Sequence, residues 1–298
     1  MESTIQPQSQ KDRETINPFV YALGEFGLGI AGNVIGLLSL FFYADVMGLS
    51  ASLTALARTI NGVWDGVNDP LFGYFSDRRR NQWGRKPWLT VAFPIFLIVN
   101  VFFWQPPDNL SQAELFAYFL TMLILFETTA TIGWVNYNSL FPDIFRGEQR
   151  RTRVNAIRKA IGVLALIAGT AVAPILYARL GFAAMGLIFS GIAAVALITF
   201  LIVVREERQL AAESNAEAVV QPLGLIASFR ITLQNKPYLR YMTVYALFVF
   251  AQMVLGSGVP FYAKYSLRLD EASTSLLFGA LRAIRLPSAL LCAWPQRP

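Results

Sequence analysis

Eight stretches of mostly apolar residues, each long enough for a helix to cross a bilayer, dominate this chain. They run near Pro18–Ala44, Ala51–Ser76, Pro87–Trp104, Ala113–Phe141, Val154–Leu180, Gly181–Val204, Tyr238–Tyr262 and Ala272–Trp294. A hydrocarbon core about 30 Å thick is spanned by roughly 20 helical residues, and a backbone in lipid must satisfy its own hydrogen bonds. The expected fold is therefore all-α, a polytopic membrane protein. Composition agrees: 55% of the 298 residues are hydrophobic and 15% charged, and the mean hydropathy is +0.46, whereas soluble domains are about a quarter charged. That argues against secretion and most soluble enzymology. The lone cysteine, Cys292, excludes an intramolecular disulfide framework and any CxxC site. With no histidine in the chain, imidazole relays, Ser-His triads and histidine metal sites are impossible.

A net charge of +6 and a pI near 9.5 raise the question of a nucleic-acid partner, which the placement of the charges answers. Arg78, Arg79, Arg80, Arg85 and Lys86 fill the second connection, and Arg146, Arg150, Arg151 and Arg153 the fourth. Arg205, Arg208, Arg230 and Lys236 lie in the sixth, while the odd-numbered connections hold only Arg179, Lys264 and Arg268. This alternation is the positive-inside rule. It predicts a multi-pass protein of the cytoplasmic (inner) membrane with a cytoplasmic amino terminus, lipid as its surroundings and no nucleic-acid partner. Met1–Asn17 is polar and lacks a signal-peptide pattern. The acidic and basic stretch after Val204 reads as a cytoplasmic linker, within which Gln221–Gln234 has a weak amphipathic pattern. The expected division is residues 1–204 as a six-helix bundle, 205–237 as linker and 238–298 as a partial second bundle of two helices. Nothing in the sequence sets an oligomeric state.

The glycines Gly27, Gly29 and Gly32 match a GxGxxG dinucleotide pattern, but that motif needs a strand before it and a helix start after it. Here it lies inside an apolar helical run. With Gly24 and Gly36, these glycines are better read as small-residue contacts between helices.

The second span carries the strongest chemistry, in Asn61, Trp64, Asp65, Asn68, Asp69 and Pro70. Asp65 and Asp69 are four apart and leave one helix face together. Asp65 sits near mid-membrane, where an acid costs about 2.5–3.5 kcal/mol on insertion scales and normally marks an ion or substrate path. Two carboxylates this close need a shared proton or a bound cation. An oxygen-only set of carboxylates and amides suits Na⁺ or H⁺; the plainer alternative is a salt bridge to Arg58 or Arg158. No other metal or cofactor is expected. Glu25 in the first span and Glu127 in the fourth are also buried by this reading. Thr131, Trp134 and Asn138 share a face with Glu127, and Trp134, Asn136, Tyr137 and Asn138 offer the aromatic and amide surface that holds polar solutes; stacking between helices is the alternative. A basic hairpin follows the second span, from Gly73 through Asp77, Arg78 and Gly84 to Arg85 and Lys86. Its Asp77, read as ending a helix, would pair with arginines across a helix interface and make opening charge-controlled.

That hairpin resembles the signature between the second and third helices of major facilitator transporters. With Trp64-Asp65-x-x-Asn68-Asp69-Pro70 and Tyr43-Ala44-Asp45-Val46-Met47-Gly48-Leu49, the chain resembles the glycoside–pentoside–hexuronide:cation symporters, in their melibiose-permease branch, over about Asn17 to Val204. The resemblance implies two six-helix bundles with a central cavity worked by alternating access, and Na⁺ or H⁺ coupled to uptake of a sugar or related small solute. It implies cation binding by Asp65, Asn68, Asp69 and Thr131, and solute binding by Arg158; the residues themselves add Glu25, Glu127, Trp134, Tyr137 and Asn138 as solute-binding candidates. Gly73, Asp77, Arg78, Gly84 and Arg85 would gate. The galactoside half departs from the pattern: Gly29 and Trp134 stand where the family has aspartates, and Asn138 where it has a stacking tryptophan. Glu25, one turn from Gly29, is the candidate replacement.

Two other readings remain. Eight spans are four fewer than the fold needs, and Arg282 and Arg285 interrupt the last one. A truncated product would look like this, giving a non-transporting remnant or a scaffold subunit; a lysolipid-type carrier of the same superfamily is the further alternative. A membrane enzyme would need a metal-binding acid cluster or a nucleophile, and the chain has neither HExxH nor DDxxD. It is expected not to be an enzyme.

Overall fold

A computed structural model describes residues 16–145, 147–204, 232–268 and 273. Every regular element among them is helical. In chain order they are α1 (Pro18–Phe41), α2 (Ala51–Trp83), α3 (Lys86–Phe103), α4 (Gln112–Ile144), α5 (Glu148–Val203) and α6 (Lys236–Phe261). Local sequence sets the ends. The Asn17 side chain accepts from the Phe19 amide at 2.9 Å and Pro18 opens α1, while Ser111 and Glu114 form a reciprocal capping box on α4.

The 56-residue α5 is two rods. At about 1.5 Å per residue it would measure roughly 84 Å as one helix, far more than a bilayer. Gly181 breaks it at φ 84°, ψ 164°, a conformation without penalty only for a residue lacking Cβ. The break falls at the expected boundary between the fifth and sixth spans. Among the described residues, four segments are long and apolar enough to cross a membrane, Pro18–Val46, Lys86–Phe103, Gln112–Ile144 and Glu148–Val203; α2 and α6, the second and seventh expected spans, are not among them. The eighth expected span apart from residue 273, the 205–231 part of the linker, Arg146 and the interfacial pattern up to residue 231 lie outside the described residues.

α1 is the central helix. Where its glycines meet neighbours, a Cβ on Gly24 would stand 2.4 Å from the Tyr137 ring, and one on Gly27 2.6 Å from Leu197. Gly169 of α5 lies 3.1 Å from the Ile30 carbonyl by the same measure. Close approach is thus confirmed for Gly24 and Gly27 and corrected for Gly32 and Gly36, which face open space. α2 packs on α4, α4 on α3, and α3 on the second rod of α5, where Asn100 donates to Ser190 at 2.6 Å.

α1 and α6 end alike. Each runs into a single π-helical turn, Phe42–Val46 and Tyr262–Ser266, through the same three residues: Phe42-Tyr43-Ala44 and Phe261-Tyr262-Ala263. The next residues are Asp45 and Lys264, and they form an ion pair, with Tyr265 also donating to Asp45. Phe41 and Phe261 meet edge to face beside it, 6.0 Å between centroids.

Candidate functional site

α2 and α4 form the first cluster. Thr131 donates its hydroxyl to Asp69 Oδ1 at 3.0 Å, and the Asn68 amide donates to the Glu127 carbonyl at 3.3 Å, one turn from Thr131. Trp64 pins the same seam by donating from Nε1 to Thr128 at 2.9 Å. Asp65 contacts Glu127 carboxyl to carboxyl, and Asp69 and Asp65 act on one another through space. The two aspartates are solvent-exposed, but their partners are on α4, so they point along the α2–α4 edge.

The oxygens outnumber their donors here. Asn61 Oδ1 and Asn68 Oδ1 are buried without a hydrogen-bond partner, a condition that normally costs about 1–3 kcal/mol per group. Pro70 has no N–H, so the Gly66 carbonyl, between the two aspartates, gets no helix bond from it. Carboxylates and amide oxygens suit a hard monovalent cation. Among the described residues no three acids converge as a divalent-metal cage.

The expected alternative, a salt bridge to Asp65, is not formed. Arg58 bears on Glu127, and Arg158 lies elsewhere, in a second cluster on α1, α4 and α5. Arg158 Nη2 donates to Glu25 Oε2 at 2.9 Å and to Asn138 Oδ1 at 2.7 Å, and its Nε donates to the Tyr137 hydroxyl at 3.0 Å. Its guanidinium lies 4.5 Å from the Tyr137 ring centre and 4.7 Å from that of Phe141, a cation–π clamp on a buried charge. Tyr137 in turn donates to the Tyr21 carbonyl, and Tyr21 to the Tyr137 carbonyl. Lys159, which the sequence did not single out, donates to Glu25 Oε1 at 2.7 Å. Both oxygens of Glu25 thus meet cations. Trp134 packs edge-on to Tyr137, 6.0 Å between centroids, and is half-buried.

The third expected group sits at the arginine-rich end. α2 does not stop at Asp77 as expected; it continues to Trp83, because arginine and glutamine are good helix formers beyond the point where apolar residues end. Gly84 turns the chain at φ 71°, and Arg85, directly after it, is buried. Arg85 reaches back to Asp77 at 2.9 Å and across to Asp143 of α4 at 3.9 Å, so the pairing across an interface is formed by Arg85. Ser76 bonds Asn136 between the same helices, Arg78 donates to Tyr74 at 3.0 Å, and Gly73 faces open space.

A family model described as MFS/sugar transport protein matches residues 20–296. An uncharacterized symporter of Synechocystis sp. is 33% identical over 149 residues, 48% of this chain and 27% of its own length. The sodium-dependent lysophosphatidylcholine symporter 1 of Mus musculus is 23% identical over 315 residues, 93% of this chain and 58% of its own length. The isoprimeverose transporter of Lactiplantibacillus pentosus is 20% identical over 289 residues, 94% and 58% respectively. The chain thus spans less than two-thirds of each of these relatives. With an all-helical fold and apolar helices long enough to cross a membrane, the match over nearly its whole length means that this multi-pass membrane protein belongs to the MFS/sugar transport protein family, a family of transporters and not of enzymes.

Proposed function

We propose that the chain supplies the cation-coupling bundle of a symporter that moves a sugar or related small solute with Na⁺ or H⁺ by alternating access. The observation that carries this reading is the α2–α4 seam, where Asp69 accepts from Thr131, Asp65 meets both Asp69 and Glu127, and the Arg58 charge bears on Glu127. Carboxyls gathered along one seam repel one another, which a proton or a small cation relieves. Asp65, Asn68, Asp69 and Thr131 hold the cation. Its arrival removes the repulsion along α2 and draws α2 onto α4.

α4 carries the effect onward. Thr131 and Asn138 are seven residues apart, about 10 Å along the helix, and Asn138 and Tyr137 hold Arg158 of the solute side. A shift of α4 on cation binding thereby changes solute affinity, and the reverse follows by linkage. The charge pattern supports the inner membrane with a cytoplasmic amino terminus, and residues 1–204, 205–237 and 238–298 as bundle, linker and part of a second bundle. Gly73, Asp77, Arg78, Gly84 and Arg85 form the gate at the arginine-rich end.

The test is uptake by the full-length protein in vesicles, with and without a Na⁺ or H⁺ gradient. Asp65→Asn and Asp69→Asn should each abolish stimulation by the gradient; unchanged stimulation in both overturns the assignment. A lysolipid-type carrier is the second reading. It is favoured by Gly29, Trp134 and Asn138, which depart from the galactoside pattern, and by similarity to a lysophosphatidylcholine symporter over 93% of the chain.

A further inference from the structure

α2 and α4 meet in ascending order, Trp64 on Thr128, Asp69 on Thr131 and Ser76 on Asn136, so both helices run the same way along their seam. Four residues on each lead from Asp65 and Glu127 to Asp69 and Thr131, about 6 Å further along. The seam thus has two levels of oxygen, and an amide oxygen without a partner is buried at each. Asn68 Oδ1 belongs to the level of Asp69 and Thr131, where the coupling cation is placed above; Asn61 Oδ1 belongs to the other.

Side chains on a helix lean toward its start. Glu127, whose backbone carbonyl accepts from Asn68, therefore carries its carboxyl back to the level of Asp65 and Asn61. There it contacts the Asp65 carboxyl, and the Asn61 side chain bears on it. Asn61 is 6% exposed and lies one turn before Asp65 on the same face of α2.

Two carboxyls in contact need a positive partner: a guanidinium, a shared proton or a metal cation. The Arg58 charge bears on Glu127, yet Asn61 Oδ1 stays without a donor. A proton shared by Asp65 and Glu127 is spent on their own oxygens and likewise gives Asn61 Oδ1 nothing. A metal cation is met by carboxylate and amide oxygens together. A buried amide oxygen with no partner calls for a water or an ion, and beside two carboxyls the ion also relieves their repulsion.

From this we infer that Asn61, Asp65 and Glu127 form a second site for Na⁺, one turn from the position made by Asn68, Asp69 and Thr131, with Asp65 shared between the two. Glu127 then serves the cations and not the solute. What a second Na⁺ would drive rests on the symport reading; its binding stands apart from that reading.

Equilibrium dialysis of radioactive Na⁺ against the purified full-length protein in lipid nanodiscs counts the sites. The wild type should bind two Na⁺ per chain at saturation. Glu127→Gln and Asn61→Leu should each lower the count to one, as should Asp69→Asn at the other level, and Glu127→Gln combined with Asp69→Asn should leave none. Asn61→Asp keeps an oxygen in place and should retain two. One Na⁺ per wild-type chain, or two per chain in both Glu127→Gln and Asn61→Leu, overturns the inference; should Glu127→Gln fail to reach the membrane, the wild-type count and Asn61→Leu decide. Gradient-driven uptake with one Na⁺ per chain, or with none, defeats the second site alone, and two Na⁺ per chain without gradient-driven uptake defeats the symport reading alone.

Discussion

Thr131 donates to Asp69 across 62 residues of sequence, joining a carboxylate of α2 to α4. The hydroxyl holds Asp69 Oδ1 toward α4. Replacing it by valine keeps the shape and removes the donor. Thr131→Val should weaken activation by the coupling cation about ten-fold, the worth of a hydrogen bond to a charged group, while solute-binding affinity without the cation changes little. Titrating Na⁺ at fixed solute, and the reverse, separates the two effects.

The Glu25–Arg158 pair should behave as a buried ion pair. Removing one partner strands the other, so Glu25→Gln should destabilise the bundle by about 3 kcal/mol or more. Glu25→Leu combined with Arg158→Met should recover much of that stability, because a well-packed apolar pair often equals a buried ionic one, yet it should bind no solute. Thermal unfolding in detergent reads the first two outcomes and a binding assay the third. Full solute binding by the double variant would show that the cluster is scaffolding.

The glycines of α1 divide by face, and substitution should reveal it. Gly27→Val would force its side chain into Leu197 and should prevent correct packing of α1 on α5. Gly36→Ala meets open space and should be neutral or stabilise by about 0.5–1 kcal/mol, the helix preference of alanine over glycine. Melting temperatures of the two variants check the contrast.

Local signals were the legible ones. The four-residue spacing of Asp65 and Asp69 placed both on one edge of α2, and the glycine at 181 marked the end of a span because it alone accepts that backbone angle. Hydropathy misjudged the end of α2, since the helix outlasts the apolar residues that define a crossing: Arg78 and its neighbours are good helix formers in water. Partners distant in sequence were not legible. Arg158 lies 133 residues from Glu25, and both it and Arg58 were equal candidates for Asp65 until packing assigned them. Lys159 carried no signal beyond being a lysine after an arginine; the rotation of α5 that brings it to Glu25 is set by Gly162 and Gly169 against α1.

The matching ends of α1 and α6 have a consequence for how such a molecule works repeatedly. Where a Phe-Tyr-Ala turn is duplicated and the copies meet, identical charges at the following position would repel; aspartate on one and lysine on the other convert a clash into a clasp. Lys264 is half-exposed, so water and salt hold that clasp to about 1 kcal/mol or less. A fastening that weak holds the two arms in register yet lets thermal motion part them, as the proposed alternating access requires.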